Sequence, residues 1–150
     1  TSSLAHLGGK INLDDIHWGN RKYKTNKAYS DSKIANLYFT YEMKRRNKNT
    51  TEFPTVVTAH PGWTRTDLQK HSVFFRILNP IFGQKPAMGV LPTLRAATDP
   101  QVNSGDYYGP TKLGGMRGYP ELVKSNARSH NEDIARKLWN VSEELTGVRY

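Results

Sequence analysis

A tyrosine followed four residues later by a lysine is the pattern in this sequence with the most direct chemical meaning. In a helix, this spacing puts the phenol and the ammonium on one face, one turn apart. An ammonium about 4–6 Å from a phenol favours the phenolate, so such a tyrosine can exchange a proton with an alcohol or carbonyl oxygen near neutral pH. The sequence contains three such pairs, which are Tyr23/Lys27, Tyr29/Lys33 and Tyr108/Lys112.

The local sequence distinguishes these pairs. A proline two residues after Tyr108 prevents a regular helical turn there, and Tyr23 lies in a polar loop. Only Tyr29 and Lys33 fall within a helical pattern, at 27–48, whose apolar residues recur every three or four positions. The pair alone also fits an ordinary surface helix, so its interpretation depends on the residues that would surround it.

Two further polar segments follow predicted strands. Ser2 and Ser3 stand at the end of a strand that precedes the helix, and residues 61–66 follow a run rich in β-branched residues. The carboxyl ends of neighbouring parallel strands meet at one edge of a sheet, where open α/β sheets bind ligands. We therefore expect a serine hydroxyl, the Tyr29/Lys33 pair and residues 61–66 to share one site.

The elements that must position these residues alternate between strands and helices. The strand ending at Ser3 is followed by helix 27–48, strand 53–59, helix 87–98, strand 104–109 and helix 131–145. Asn26 is the expected N-cap of the first helix. This alternation predicts an α/β fold with a parallel sheet and right-handed crossovers. Three short strands make a thin sheet, so these residues are expected to form part of a larger one.

Composition excludes several classes of protein. The 150 residues contain no Cys, which excludes a disulfide scaffold, a thiolate metal site and a cysteine nucleophile. The five His are not spaced as metal ligands, so no metal is expected. No apolar run approaches the ~20 residues of a membrane span, and a cytoplasmic location is expected. The net charge of +9 is spread along the chain, which indicates a solvated surface and no nucleic-acid interface.

Three motifs together resemble the C-terminal half of a short-chain dehydrogenase/reductase, in the subgroup of retinol dehydrogenases and WW-domain oxidoreductases. They are Ser2-Ser3-Leu4-Ala5-His6, Ala28-Tyr29-Ser30-Asp31-Ser32-Lys33-Ile34-Ala35-Asn36 and His60-Pro61-Gly62-Trp63-Thr64-Arg65-Thr66. Residues 104–108 and 135–139 resemble the closing strand and helix of that subgroup. The resemblance implies an α/β fold that is the C-terminal half of a Rossmann-type doubly wound parallel sheet.

The resemblance also implies a role for each motif. Tyr29 is expected to be the acid/base for hydride transfer between a nicotinamide cofactor and a small alcohol or carbonyl substrate. Lys33 is expected to assist Tyr29 and to bind the nicotinamide ribose, and Ser3 to bind the substrate carbonyl. The residues expected to line the nicotinamide are Pro61, Gly62, Trp63, Thr64 and Thr66. Residues 68–85 are expected to bind the substrate.

The glycine-rich phosphate loop of the family has no counterpart in this sequence. Residues 1–150 are therefore expected to be the catalytic and substrate-binding half of one domain, without its dinucleotide-binding half and inactive alone. The cofactor is expected to be NADP or NAD, and the charge of +9 favours NADP. The alternative hypothesis is a truncated, non-catalytic paralogue that acts as an interaction protein.

The family resemblance implies, finally, a homodimer formed through the helix that carries Tyr29 and Lys33. In that helix Leu37, Tyr38 and Tyr41 offer large apolar and aromatic side chains. These three residues are expected to supply the area buried between the two subunits.

Overall fold

The computed structural model describes residues 1–47, 54–65, 79–80 and 82–149, and these residues form an α/β structure. In chain order, the helices and strands are α1 (Thr25–Arg46), β1 (Thr58–Ala59), α2 (Pro86–Gly89), α3 (Leu91–Thr98), β2 (Tyr107–Lys112), β3 (Arg117–Leu122) and α4 (Glu132–Thr146). Short 3₁₀ helices lie at Leu4–Gly8, Leu13–Asp15 and Ala127–His130. The α/β fold class expected from the sequence is confirmed.

Within the described residues, the sheet has the strand order β1-β2-β3. β1 and β2 are parallel, with Thr58 opposite Tyr107, which confirms the predicted parallel pairing. On the other side of β1, the backbone N–H of Ser2 donates to the carbonyl of Ala59 at 2.8 Å. The end of the predicted first strand therefore lies beside β1, at the edge opposite β2.

The antiparallel strand β3 was not expected, because the glycine-rich sequence after β2 indicates a loop. In the structure this sequence is the turn of a hairpin, and β3 runs back along β2. Gly114 and Gly115 have φ values of +65° and +86°, which residues with a side chain rarely adopt. The glycines therefore permit a tight turn between two strands, and the sheet is mixed.

The three predicted helices are found close to their expected positions. α1 begins two residues earlier than predicted, and Asn26 lies inside its first turn, so the expected N-cap is wrong. The helix predicted at 87–98 is divided into α2 and α3, with Pro92 in the first turn of α3. α4 is capped by the Asn131 side chain and ends at Gly147 (φ +71°), as its sequence indicates.

None of the described helices is both long and apolar enough to cross a membrane.

The apolar face of α1 forms the centre of the core. Tyr38 packs with Ala135 and Leu138 of α4, while Leu37 and Tyr41 pack against the sheet. Leu37 and Tyr38 are at most 1% exposed, and Tyr41 is also buried. These three side chains are buried in the chain's own fold and do not supply area for a subunit contact, and a homodimer through this helix stays a prediction.

A buried cluster of His6, His60 and Tyr107 lies between the first 3₁₀ helix and the sheet. The Tyr107 ring is 5.8 Å from the His6 ring and 5.2 Å from the His60 ring. Burial, together with the nearby His6, lowers the pKa of His60 to about 4, and burial also lowers the pKa of His6. Both imidazoles are therefore neutral at physiological pH.

The first 3₁₀ helix lies directly against α1, and the contact requires a glycine. A Cβ on Gly9 would be 2.6 Å from both the Ile34 Cγ2 and the Ser30 carbonyl oxygen. A Cβ on Gly8 would be 3.5 Å from the nearest atom, which is an ordinary van der Waals distance. The absence of a side chain at Gly9 thus sets the spacing between this 3₁₀ helix and α1.

From this contact we expect alanine substitutions at two neighbouring glycines to differ in their effect on stability. Gly9→Ala is expected to lower the free energy of unfolding by about 1–3 kcal/mol, because the new methyl group overlaps α1. Gly8→Ala is the matched control and should change it by no more than about 0.5 kcal/mol. Denaturant titration of both variants measures the difference. Equal effects at the two positions would contradict the close contact at Gly9.

The buried His60 predicts how stability depends on pH. An unfolded histidine binds its proton near pH 6.5, whereas the folded pKa of His60 is about 4. Between these values the unfolded chain binds more protons, so the free energy of unfolding should fall as the pH is lowered from about 6.5 towards about 4. His60→Asn should reduce the dependence of the free energy of unfolding on pH in this range by up to about 1.4 kcal/mol per pH unit. Denaturant titrations of the two proteins at a series of pH values measure how the free energy of unfolding depends on pH.

Candidate active site

Tyr29 and Lys33 lie on the same side of the first half of α1. The Lys33 Nζ atom is 5.1 Å from the centre of the Tyr29 ring. Tyr29 is 41% exposed, so a small molecule can reach this residue. The other two tyrosine–lysine pairs differ, because Tyr108 is buried in β2 and Tyr23 precedes α1. The sequence-based choice of a helical pair agrees with this geometry.

The two serines at the start of the chain have different environments. Ser2 is buried, and its hydroxyl donates to the backbone carbonyl of Lys33 at 2.8 Å. The Ser3 hydroxyl is only partly buried and accepts from the N–H of Ala5 at 3.2 Å, where it caps the first 3₁₀ helix. Ser2 therefore fixes the α1 backbone at Lys33, while the Ser3 hydroxyl retains a proton that it can donate.

Residues 61–64 leave the carboxyl end of β1 in a tight turn. Gly62 has a φ of +65°, and a Cβ there would be 2.5 Å from the Met116 carbonyl oxygen. The next N–H, that of Trp63, donates to the same carbonyl at 2.6 Å. The Thr64 hydroxyl donates to the carbonyl of Pro61 at 2.8 Å. The hairpin turn between β2 and β3 therefore fixes the backbone of this segment.

Gln84 holds the same segment from a position that the sequence did not single out. Its side-chain N–H donates to the Pro61 carbonyl at 2.7 Å, and its side-chain oxygen accepts from the Gly118 N–H at 3.1 Å. The Gln84 backbone also pairs with residues 63–65, and the residue is only 4% exposed. No local pattern marks this glutamine, because the partners of its side chain lie more than twenty residues away.

The structure brings the predicted segments to one edge of the sheet. The first 3₁₀ helix lies on α1 beside Ser30, and the hairpin turn reaches both that helix and β1. A Cβ on Gly115 would be 3.1 Å from the Leu4 side chain and 3.6 Å from the His60 ring. The first 3₁₀ helix, α1 and residues 61–64 thus meet near the carboxyl end of β1, where Ser2 bonds to both Ala59 and Lys33. Thr66 and most of the predicted substrate-binding range 68–85 lie outside the described residues.

The side chains at this edge fit the nicotinamide end of a dinucleotide cofactor. Within the described part of the chain, the Lys33 ammonium makes no hydrogen bond or ion pair, so its three N–H groups can bind ribose hydroxyls. Tyr29 and Ser3 add two hydroxyls. The described residues contain no cluster of His, Asp or Glu that could hold a metal ion.

Comparison with known proteins gives a consistent set of relatives. Human retinol dehydrogenase 13 is 35% identical over 158 residues, covering 98% of this chain and 44% of its own. Human retinol dehydrogenase 14 is 33% identical, and the match covers 98% of this chain and 43% of that protein. Mouse retinol dehydrogenase 12 is 32% identical, and the match covers 99% of this chain and 45% of that protein. The chain therefore spans less than half the length of these relatives. No protein-family model matches the sequence.

A solved structure agrees with these relatives. The crystal structure of an uncharacterised protein from Mycobacterium paratuberculosis superposes with a TM-score of 0.78 at 34% identity. The superposition covers 99% of this chain and 49% of that chain. Sequence and structure thus match over nearly all of the 150 residues, as the three motifs indicate. The homologues of this chain are thus retinol dehydrogenases, of the short-chain dehydrogenase/reductase family, which match it over nearly all of its own length.

Proposed function

We propose that the complete protein is an NAD(P)-dependent oxidoreductase that interconverts an alcohol and a carbonyl compound. The observation that carries the proposal is the Tyr29/Lys33 pair on α1, in which Tyr29 is exposed and the Lys33 Nζ atom is 5.1 Å from the centre of its ring. The relatives support the same class of reaction, since they are named as dehydrogenases. Because the chain spans less than half of their length, the activity is proposed for the whole protein.

In the proposed reaction, Tyr29 moves the proton. A bound nicotinamide cofactor supplies or accepts the hydride. During reduction, the Tyr29 hydroxyl donates its proton to the carbonyl oxygen as negative charge develops there. The nearby Lys33 ammonium favours the resulting phenolate, and the Ser3 hydroxyl donates a second hydrogen bond to the same oxygen. During oxidation, the phenolate of Tyr29 accepts the proton of the alcohol.

The remaining predicted residues bind the cofactor in this proposal. Lys33 donates to the ribose hydroxyls, and residues 61–64 together with Thr66 line the nicotinamide. Their backbone is held by Gln84 and by the hairpin turn, which supports a rigid surface against which the ring can be placed. NADP is the preferred cofactor, since the net charge of +9 favours a ligand with an additional phosphate.

The proposed substrate is an aldehyde or alcohol with an apolar body. Retinol is the substrate in the names of the relatives, and it belongs to this class. The sequence 73–78 contains a valine, two phenylalanines, an isoleucine and a leucine, which suits an apolar molecule. Incubation of the complete protein with retinaldehyde or a shorter apolar aldehyde, and NADPH or NADH, tests the proposal. Absence of cofactor oxidation with every pair would favour the alternative, a non-catalytic interaction protein.

Replacement of Tyr29 tests the identity of the acid/base. Tyr29→Phe should lower kcat by about 10²–10⁴-fold or more, because only the hydroxyl is lost, while cofactor affinity changes little. Tyr23→Phe is the matched control, since Tyr23 also precedes a lysine by four residues but lies outside α1. Steady-state kinetics of both variants in the complete protein decide the assignment. A near-normal kcat for Tyr29→Phe would exclude Tyr29 as the acid/base.

Replacement of Lys33 tests its proposed contact with the ribose. Lys33→Ala should raise the Kd of the cofactor by about 10- to 100-fold, because a hydrogen bond from a charged donor contributes about 1.5–3 kcal/mol. The exposed Lys22, which lies just before α1, provides a control of the same charge. Calorimetric titration of the complete protein measures both variants. If Lys33→Ala and Lys22→Ala weaken binding equally, the effect is one of net charge and the contact is absent.

A further inference from the structure

His60 is the residue immediately before the segment that is proposed to line the nicotinamide, and its side chain is buried. Its exposed fraction is 2%, so the imidazole itself does not reach a ligand at the sheet edge. Its Nδ1 atom accepts a hydrogen bond from the backbone N–H of Gly62 at 3.2 Å. The imidazole therefore contacts the segment at Gly62, which has a positive φ and where the chain turns away from β1.

The partners of the two buried histidines require opposite tautomers. The Gly62 N–H can only donate, so Nδ1 of His60 must be unprotonated and the ring proton lies on Nε2. At His6, Nδ1 lies 2.7 Å from the Ser3 carbonyl oxygen, which can only accept, so there the proton lies on Nδ1. Each neutral ring thus holds the backbone of one segment of the proposed site.

Packing prevents the His60 ring from leaving this position. Its backbone N–H donates to the Tyr108 carbonyl at 2.9 Å, which continues the pairing of β1 with β2. The Nε2 edge lies against Gly109, where any Cβ would overlap it. The His60 ring also packs against the Tyr107 ring, at a tilt of 44° and with the ring centres 5.2 Å apart. With both its backbone and its ring edge fixed by β2, His60 presents Nδ1 to Gly62 in a single orientation.

We infer that His60 is a positioning residue for the nicotinamide-lining segment, acting through the hydrogen bond from the Gly62 N–H to its Nδ1 atom. The inference rests on the proposed function for its effect on the cofactor. The hydrogen bond selects the turn that directs residues 61–64 along the site. Without an acceptor at Nδ1, the Gly62 N–H is unpaired beside a buried side chain, and the segment gains alternative conformations.

Two substitutions separate this role from simple packing. Asparagine is smaller than histidine but has an acceptor oxygen close to the position of Nδ1, whereas glutamine is nearer in size and has its polar atoms closer to the position of Nε2. In the complete protein, His60→Asn should raise the KM for the cofactor less than about threefold, and His60→Gln about tenfold. Exchange of the Gly62 amide hydrogen should be about tenfold faster in His60→Gln than in His60→Asn. If packing alone mattered, glutamine would be the better replacement in both measurements.

A measurement on the unaltered protein keeps the inference testable if either variant fails to fold. Two-bond ¹H–¹⁵N correlation spectra near neutral pH should show the Nε2–H tautomer at His60 and the Nδ1–H tautomer at His6. An Nδ1–H tautomer at His60, or equal Gly62 exchange in the two variants, would overturn the inference. Failure of the unaltered protein to bind NADP or NAD would instead overturn the proposed function, because the tautomer and the amide exchange do not depend on a cofactor.

Discussion

Two hydrogen bonds made by Ser2 connect the sheet to the helix that carries the candidate catalytic pair. The backbone N–H of Ser2 donates to Ala59 in β1, and its hydroxyl donates to the carbonyl of Lys33 in α1, each at 2.8 Å. A helix lying on a sheet can slide when apolar contacts alone hold it, because these contacts are not directional. The bonds of Ser2 are directional and buried, so they fix how far Lys33 lies from the carboxyl end of β1.

Other buried polar side chains around the site hold backbone segments in the same way as Ser2. Ser2, His60 and Gln84 are buried, and each binds a backbone group of a segment that approaches the proposed cofactor. Burial of a polar side chain is unfavourable unless its hydrogen bonds are made, so each of these residues is stable in one arrangement only. Tyr29 is exposed by contrast, and Lys33 is only partly buried. Rigid buried groups thus position accessible ones.

Local sequence predicts the parts of this arrangement that depend on local interactions. The α4 helix is found where Asn131 and Gly147 indicate its ends, and the Tyr29/Lys33 pair lies within one helix as its spacing requires. Tertiary contacts determine the parts of the arrangement that the local sequence does not predict. Aromatic residues on α1 fit a subunit interface as well as a core, and only the position of α4 shows that Tyr38 is internal. Gln84 likewise becomes recognisable only when the chain returns to Pro61.

The neutral state of the two buried histidines also affects the electrostatics of the proposed site. His6 contacts the backbone of Ser3 and His60 that of Gly62, so a charge on either ring would lie beside the proposed substrate and cofactor contacts. Because burial keeps both rings neutral, they fix these backbones without adding positive charge. The cation that contacts the Tyr29 ring, at 5.1 Å from its centre, is therefore the Lys33 ammonium and neither of the two imidazoles. Neutral imidazoles in complementary tautomers therefore support both backbones and leave the positive charge of the proposed site to Lys33.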